Sequence, residues 1–497
     1  MRLTRLSAAL LAAGLALPAL AGNREAELLD KLAARLEKLE ARNAELEKQV
    51  RELKGENEKI AQGLDSPRLS EDEPELTMRL KAVEKDQLNM KKAQKIAESL
   101  DGIKVAASLA TVGQHASGLP STTDGGGSQL NYRADVSVEL PLKPVGDIEH
   151  KLFAHLRMGQ GLGLNSAFRN LGLFASAPNA LAFRASGASP DDSVTILGQA
   201  WYQAAIPLPF LGFKPYSRET LELTFGKMDI FGFFDQNKGG GDEARQFLNS
   251  VFVHNPLLDA GGEVGVDANG FQPGFVVSYL NWFDKPQPWR LSLGVFGAGD
   301  KGANYQRSLS SPLVMLQAEK QVKLLGGLTG NYRVYAWNRN EAANFDGTLA
   351  KHTGIGVSVD QRVGDGITLF GRYGRMLAGE LPFNQAITAG AEFNGSYWGR
   401  AADAVGIAGA WLQAGPGYRA GANGRSCPGG YDDNGVCVGT LFNYTPQGAE
   451  KVAEIYYRYR LSSQFELSPD FQLVTNGGGN AEARSVKVFA LRANIAY

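Results

Sequence analysis

The chain's 497 residues carry 51 Lys and Arg against 52 Asp and Glu, a balance that leaves no electrostatic footprint for nucleic acid. Its 60 Gly, 24 Phe and 16 Tyr, with a mean hydropathy of -0.21, suit strands that show one face to lipid and the other to water.

The N-terminus opens with Arg2 and Arg5, an apolar run over 6–20 and the small-residue triplet Ala19-Leu20-Ala21. This is the pattern of a secretory signal over 1–21, cleaved after Ala21, and the run is short of the ~18–20 residues a helical span needs. The mature chain is expected to be exported. No later run is long and apolar enough for such a span, so residence in a membrane rests on strands.

From 23 to 64 the apolar period is heptad. Leu29, Leu36, Asn43, Val50 and Asn57 fall at position a, and Leu32, Leu39, Leu46, Leu53 and Ile60 at position d. The seam predicts a coiled coil, and Arg35 facing Glu40 and Arg42 facing Glu47 across it fit parallel chains. Asn43 and Asn57 fix register and chain number at a cost in stability. Asp65-Ser66-Pro67 ends the rod, and a weaker heptad pattern predicts a helical linker over 65–102.

After Asp101 the period becomes 2. On the last such run Phe489, Leu491, Ala493, Ile495 and Tyr497 alternate with Ala490, Arg492, Asn494 and Ala496. Runs of this kind give strands at 103–113, 130–140, 148–158, 194–206, 219–229, 274–283, 288–299, 312–323, 326–339, 353–363, 366–377, 388–398, 404–414, 449–460, 463–474 and 484–497. That makes about sixteen, with short turns alternating with longer connections such as 159–193, 230–273, 300–311 and 415–448. The fold class is an all-β transmembrane barrel of antiparallel strands over 103–497, placed in a bacterial outer membrane with the preceding coiled coil in the periplasm.

The lumen then receives charges of both signs, among them Arg157, Arg333, Arg372, Glu454, Arg458 and Arg492, together with Phe153, Tyr335, Phe370 and Tyr456. A wall of one sign selects ions, whereas a mixed wall presents hydrogen-bonding groups to a neutral polyol. The stretch over 226–256, GKMDIFGFFDQNKGGGDEARQFLNSVFVHNP, leaves the alternating pattern most fully, and is expected to fold inward and narrow the hole. The sequence DEARQFLNS within it reads as a short helix opened by Asp242 and Glu243. The loop offers Asp235, Asn237, Asp242, Glu243, Arg245, Gln246 and Asn249 as constriction and solute-binding candidates, opposite the wall residues just named.

Cys427 and Cys437, alone in the chain, lie in one Gly-rich stretch and are expected to form a local disulfide, since two thiols without a nearby His cannot complete a zinc shell. No nucleophile motif, HExxH pair or P-loop appears, so neither an enzyme nor a cofactor or metal site is expected.

The inward stretch carries a resemblance. Gly226-Lys227, Asp229, Phe234-Asp235-x-Asn237, Asp242-Glu243, Gln246-Phe247-Leu248-Asn249 and Asn255-Pro256 resemble the carbohydrate-selective porins of the OprB type. So do Phe370-Gly371-Arg372-Tyr373-Gly374, Tyr456-Tyr457-Arg458 and the Leu467-Ser468-Pro469-Asp470-Phe471 block that runs on to Gly477-Gly478-Gly479-Asn480. The resemblance implies a sixteen-stranded outer-membrane channel that passes sugars through a hole narrowed by inward loops. The coiled coil is a departure from it. Porin habit points to three chains and an a-position Asn to two, and the expectation is a homo-oligomer, a trimer ahead of a dimer. The alternatives are a general diffusion porin for small polar solutes and a barrel anchor that ties the outer membrane to cell-wall polymer through the coiled coil.

Overall fold

The computed structural model describes residues 44, 47–55, 102–119, 127–165, 168, 176–183, 192–209, 217–259, 271–297, 309–422 and 446–497. The chain divides into two units, Met1–Leu100 and Asp101–Tyr497. The expected signal peptide, the coiled-coil positions Leu29, Leu32, Leu36, Leu39, Asn43, Leu46, Asn57 and Ile60, the linker up to 101, and Cys427 and Cys437 lie outside the described residues. In the first unit residues 44 and 47–55 are helical. Lys48 pairs with Glu52 at 3.8 Å and Arg51 with Glu47 at 3.7 Å, one turn apart on the surface and contributing a few tenths of a kcal/mol each.

The second unit is a closed barrel in which each strand pairs with its sequence neighbours and the last pairs with the first. The strands are β1 (Lys104–Ser117), β2 (Ser128–Pro141), β3 (Glu149–Gln160), β4 (Val194–Leu208), β5 (Glu219–Asp229), β6 (Phe271–Asn281), β7 (Trp289–Phe296) and β8 (Leu313–Leu324). They continue as β9 (Leu328–Ala343), β10 (Leu349–Gly364), β11 (Ile367–Ala378), β12 (Phe383–Asn394), β13 (Ala404–Ala414), β14 (Ala449–Arg460), β15 (Phe465–Thr475) and β16 (Val486–Ala496). Closure is antiparallel, with Ser108 opposite Ala496 and Ser117 opposite Lys487. A closed ladder leaves no unpaired edge, which is what a sheet in lipid requires.

The period-2 pattern sorts the side chains. On β16, Val486, Val488, Arg492 and Asn494 are buried inside, whereas Phe489, Leu491 and Ile495 are each about half exposed outside. Leu109, Leu156, Phe225, Leu293, Leu316, Val334, Ile387, Ile407 and Ile455 extend that apolar belt around the barrel. Turns such as 325–327, 365–366 and 461–464 gather on one rim, where exposed Trp282, Phe283, Trp289, Tyr397, Trp398 and Tyr497 form an aromatic girdle. The connections on the other rim are mostly longer.

The expected strands all form, with shifted ends. The largest shift is in β12, which starts at Phe383 and stops at Asn394 instead of running over 388–398. There the Asn394 side chain accepts the Ser396 N–H and starts the 3-10 turn Gly395–Trp398, which Gly399 closes in a left-handed conformation.

Most of the barrel's dry core lies inside it. Phe234, Phe247, Phe252 and Leu257 from the connection after β5 pack on Phe296, Met315, Tyr335, Trp337, Phe370 and Tyr456 of the inner wall. Each fully buried apolar side chain of this size contributes about 1.5–3 kcal/mol. Glycines in the wall make room for the rings: a Cβ on Gly356 would overlap the Tyr335 ring. Gly356→Val is therefore expected to destabilise the barrel by about 1–3 kcal/mol. The measurement is the temperature at which the folded band converts to the unfolded one on a gel, and an unchanged temperature would contradict the packing.

Candidate functional site

The chain leaves the wall at the end of β5. Gly226 has φ +136, and a Cβ there would overlap the Ala200 carbonyl of β4, so the position needs glycine. Three residues later the Asp229 side chain accepts the Phe231 N–H at 2.9 Å and starts the 3-10 turn Ile230–Gly232, which swings the chain into the lumen.

A chain crossing a barrel must find partners for its backbone groups. Asp235, in a left-handed conformation with φ 52, is the first anchor. Its carboxylate accepts the Asn255 N–H at 2.6 Å, the Tyr335 hydroxyl at 2.8 Å and Arg372 Nε at 3.2 Å, while its own N–H donates to Gln317 Oε1 at 3.0 Å. Arg372 also donates to the Phe252 carbonyl at 2.6 Å, joining both ends of the loop to β11. Asn237 then donates to Ser358 Oγ and the Val359 carbonyl of β10. Gly239 and Gly240 lie against the Phe370 side chain, where a Cβ would come within 2.8 Å of its Cβ and 2.9 Å of its ring.

The expected helix over 242–250 does not form. Asp242 Oδ1 accepts the Ala244 and Arg245 N–H groups, and Gln246 N–H donates to the Asp242 carbonyl at 2.7 Å, which makes a single turn. Glu454 of β14 then accepts the Leu248 N–H at 2.5 Å and the Asn249 N–H at 2.9 Å, and these bonds take the place of the next helical ones. Helix follows only at Ser250–Val253, capped by Asn249, and at Pro256–Asp259.

A second connection also enters the lumen. Asn179 donates to Gln114 Oε1 at 3.1 Å and Asn131 Oδ1 at 2.7 Å, and Gln472 donates to the Pro178 carbonyl. The two loops bind one another through Ala180 N–H to the Leu248 carbonyl at 2.7 Å and Ser250 N–H to the Ala177 carbonyl at 2.9 Å. The narrowing is thus a two-loop assembly. Nothing local in the SAPNALAF stretch over 176–183 distinguishes it from an outward loop, since its wall partners lie on β1, β2, β14 and β15.

Exposure divides the candidates. Asp235, Asn237, Gln246, Asn249, Arg333, Arg372, Glu454 and Arg492 are buried and hold the loop or the wall. Glu243, Arg245, Arg157 and Arg458 keep 24%, 40%, 15% and 13% of their side chains exposed, and Asp242 is exposed. These are the groups that meet water. Glu243 pairs with Arg133 at 2.6 Å and Arg157 at 3.5 Å, Arg245 with Glu466 at 2.5 Å, and Arg458 with Glu392 at 3.5 Å. Arg492 donates to the Glu243 carbonyl at 3.0 Å. Asp135 is held by Arg133, His155 and Arg157 at 2.7–2.8 Å. Of the lumen aromatics, Tyr335, Phe370 and Tyr456 are covered by the loop, whereas Phe153 stacks on Trp201 at 4.7 Å with both partly exposed.

The two loop carboxylates differ in acidity. Asp242 reaches the lumen water with its side chain, but the surrounding barrel still desolvates it and raises it above its ordinary range, more than Arg245 and Arg492 lower it. Burial alone would also raise Glu243, but the Arg133 and Arg157 guanidiniums outweigh it and hold that carboxyl below its ordinary range. A depressed Glu243 stabilises the docked loop at neutral pH, and that contribution disappears only as pH falls through the depressed value. Of the two loop carboxylates, acidification therefore neutralises Asp242 before Glu243. The expected result is a shift of the reversal potential in a KCl gradient toward anions, before any rise in conductance. Asp242→Asn should abolish that first step, and its persistence in the variant would contradict the assignment.

Comparison with known proteins agrees with this architecture. The profile of the carbohydrate-selective porin, OprB family, matches residues 182–497. The high-pH structure of Pseudomonas putida OprB superposes with a TM-score of 0.62 at 17% identity, covering 81% of this chain and 96% of that one. Its low-pH structure gives 0.44 at 12%, covering 82% and 96%, and a triple mutant of the Rh. blastica porin gives 0.40 at 9%, covering 80% and 100%. No curated protein sequence matches the chain. The closed sixteen-stranded barrel, its inward loops and the family profile over most of the barrel place the chain in the OprB family of carbohydrate-selective porins of the outer membrane.

Proposed function

We propose that this porin passes neutral sugars by facilitated diffusion along the wet edge of the inward loop, past Asp242, Glu243 and Arg245. The observation that carries the reading is the matching of charge there: Glu243 stands against Arg133 and Arg157, and Arg245 against Glu466. Such a passage presents dense donors and acceptors while its opposite charges cancel, which suits a neutral polyol better than an ion. The sugar-binding candidates then fall into two roles, with Asp242, Glu243, Arg245, Arg157 and Arg458 meeting solute and the buried remainder fixing them in place.

Replacing Arg245, Gln246 and Asn249 together by Ala removes a lining cation and two loop anchors. The variant is expected to raise ion conductance and weaken block by sugar, with the barrel still folded. Liposome swelling with sugars and single-channel recording are the measurements. Unchanged conductance and unchanged block would favour a general diffusion pore.

A second reading concerns assembly. Val50 and Leu53, the described seam positions, are 61% and 42% exposed on their helix. We infer that residues 23–64 pair with copies of themselves on the periplasmic side, as a trimer ahead of a dimer, where they can reach cell-wall polymer. Deleting 23–64 should lower the mass measured by light scattering in detergent. An unchanged mass would remove the rod from the assembly.

A further inference from the structure

The outer surface of the barrel carries a charge where its neighbours are apolar. Alternation from the exposed Leu291, Leu316 and Val334 puts Trp289, Lys320 and Tyr332 on the outward face of β7, β8 and β9, and Lys320 lies directly opposite both aromatics. Lys320 is the one charged residue on that face of these three strands. A cation facing lipid is opposed by desolvation at mid-membrane and tolerated at the headgroups. Its place agrees with that: Trp289 opens β7 just after a short turn, and its ring lies 5.2 Å from that of Tyr279 in the aromatic girdle, where such rings sit at headgroup level. Short turns mark the periplasmic rim of barrels of this kind.

The turn over 282–288 brings a second lysine to the same place. Gln287 N–H donates to the Asp284 carbonyl at 2.9 Å and Gln321 N–H to the Pro288 carbonyl at 2.9 Å, which folds the turn onto β8. The Gln287 carbonyl accepts one donor of the Lys320 ammonium, and Lys285 is exposed two residues away. An ammonium has three donors, so Lys320 keeps two for an outside acceptor.

The acids close by are engaged elsewhere. Asp284 accepts Gln287 Nε2 at 3.2 Å, Glu319 pairs inside the barrel with Arg333 at 3.0 Å, and Glu219 accepts the Tyr279 hydroxyl. Neither Lys285 nor Lys320 forms an ion pair among the described residues. The patch is therefore cationic and continuous with the apolar belt above it, where Leu291 and Leu316 are 44% and 50% exposed. An occupant that satisfies both parts has a phosphate and hydrocarbon chains. A zwitterionic headgroup would bring its own ammonium against two lysines, whereas an anionic headgroup does not.

We propose that the Lys285–Lys320 rim retains an anionic phospholipid of the leaflet on that side, with its phosphate on the two ammonium groups and its acyl chains along the belt beside Trp289. This site lies on the outside of the barrel and is independent of what passes through the lumen.

The test is native mass spectrometry of the full-length protein in detergent micelles, with phosphatidylglycerol and phosphatidylcholine of identical acyl chains added in equal amounts. The wild type is expected to retain phosphatidylglycerol in preference. Lys320→Gln should lower that preference roughly fivefold, the effect of one lysine at a membrane surface, and Lys285→Gln should lower it in the same direction. Lys320→Arg should keep it, and Lys238→Gln, which removes a charge from the loop inside the lumen, should leave it unchanged. Equal retention of the two lipids by the wild type, or an unchanged preference in both Gln variants, overturns the proposal. Retention of glycerol 3-phosphate as strong as that of phosphatidylglycerol also overturns it, because the surface would then be a soluble-phosphate site. The folded band on a gel verifies each variant, and since the two lysines stand on different elements, the second decides where the first fails to fold.

Discussion

The buried contact between Asp235 and Arg372 sets the terms for the interior of this barrel. A loop crossing the lumen brings a row of backbone groups that water satisfies only on one side. Asp235 and Arg372 are both nearly inaccessible, and together they bind the Asn255 N–H, the Tyr335 hydroxyl and the Phe252 carbonyl. Separating such a pair would leave one charge buried alone, at a cost of about 3–5 kcal/mol. The loop is consequently fixed at both ends to the same point on β9 and β11. Glu454 repeats the device farther along by accepting two successive N–H groups.

These anchors explain why so many charged residues on the inner wall are not lining a channel. An inward acid or arginine in a wide barrel would ordinarily meet water. Here the wall charges under the loop serve as acceptors and donors for its backbone, and those at its edge pair directly with Glu243 and Arg245. Glu243 and Glu454 illustrate the two fates: one meets Arg133 and Arg157 at the wet edge, the other is closed off beneath Leu248 and Asn249.

The strands were legible because a wall between lipid and lumen imposes period 2 on every residue, and β5, β13 and β14 fall where the alternation places them. Loop structure was less legible, since its determinants are remote. The turn at Asp242 reads as the start of a helix from local sequence alone, and it is Glu454, 206 residues away, that diverts Leu248. The inward course of 176–183 depends likewise on Gln114, Asn131 and Gln472. A positional clue did exist: Gln114, Asn131 and Gln472 are uncharged amides at inward positions where the neighbouring wall carries charges, a sign of backbone to be bonded.

The apolar side of the loop completes the logic of the passage. Phe234, Phe247 and Phe252 would be out of place in a water-filled lumen, but together with Tyr335, Phe370 and Tyr456 they form a dry cluster against one side of the wall. The loop is stiffened by this packing, and Leu248 adds a second apolar contact with Ala110, Val112 and Ala490 of β1 and β16. The position of the loop's edge is fixed by burial, and the charged groups on it stand outside the dry cluster. Asp242, Glu243 and Arg245 hold the edge by polar contacts instead: Asp242 accepts the Ala244 and Arg245 N–H groups, Glu243 pairs with Arg133 and Arg245 with Glu466.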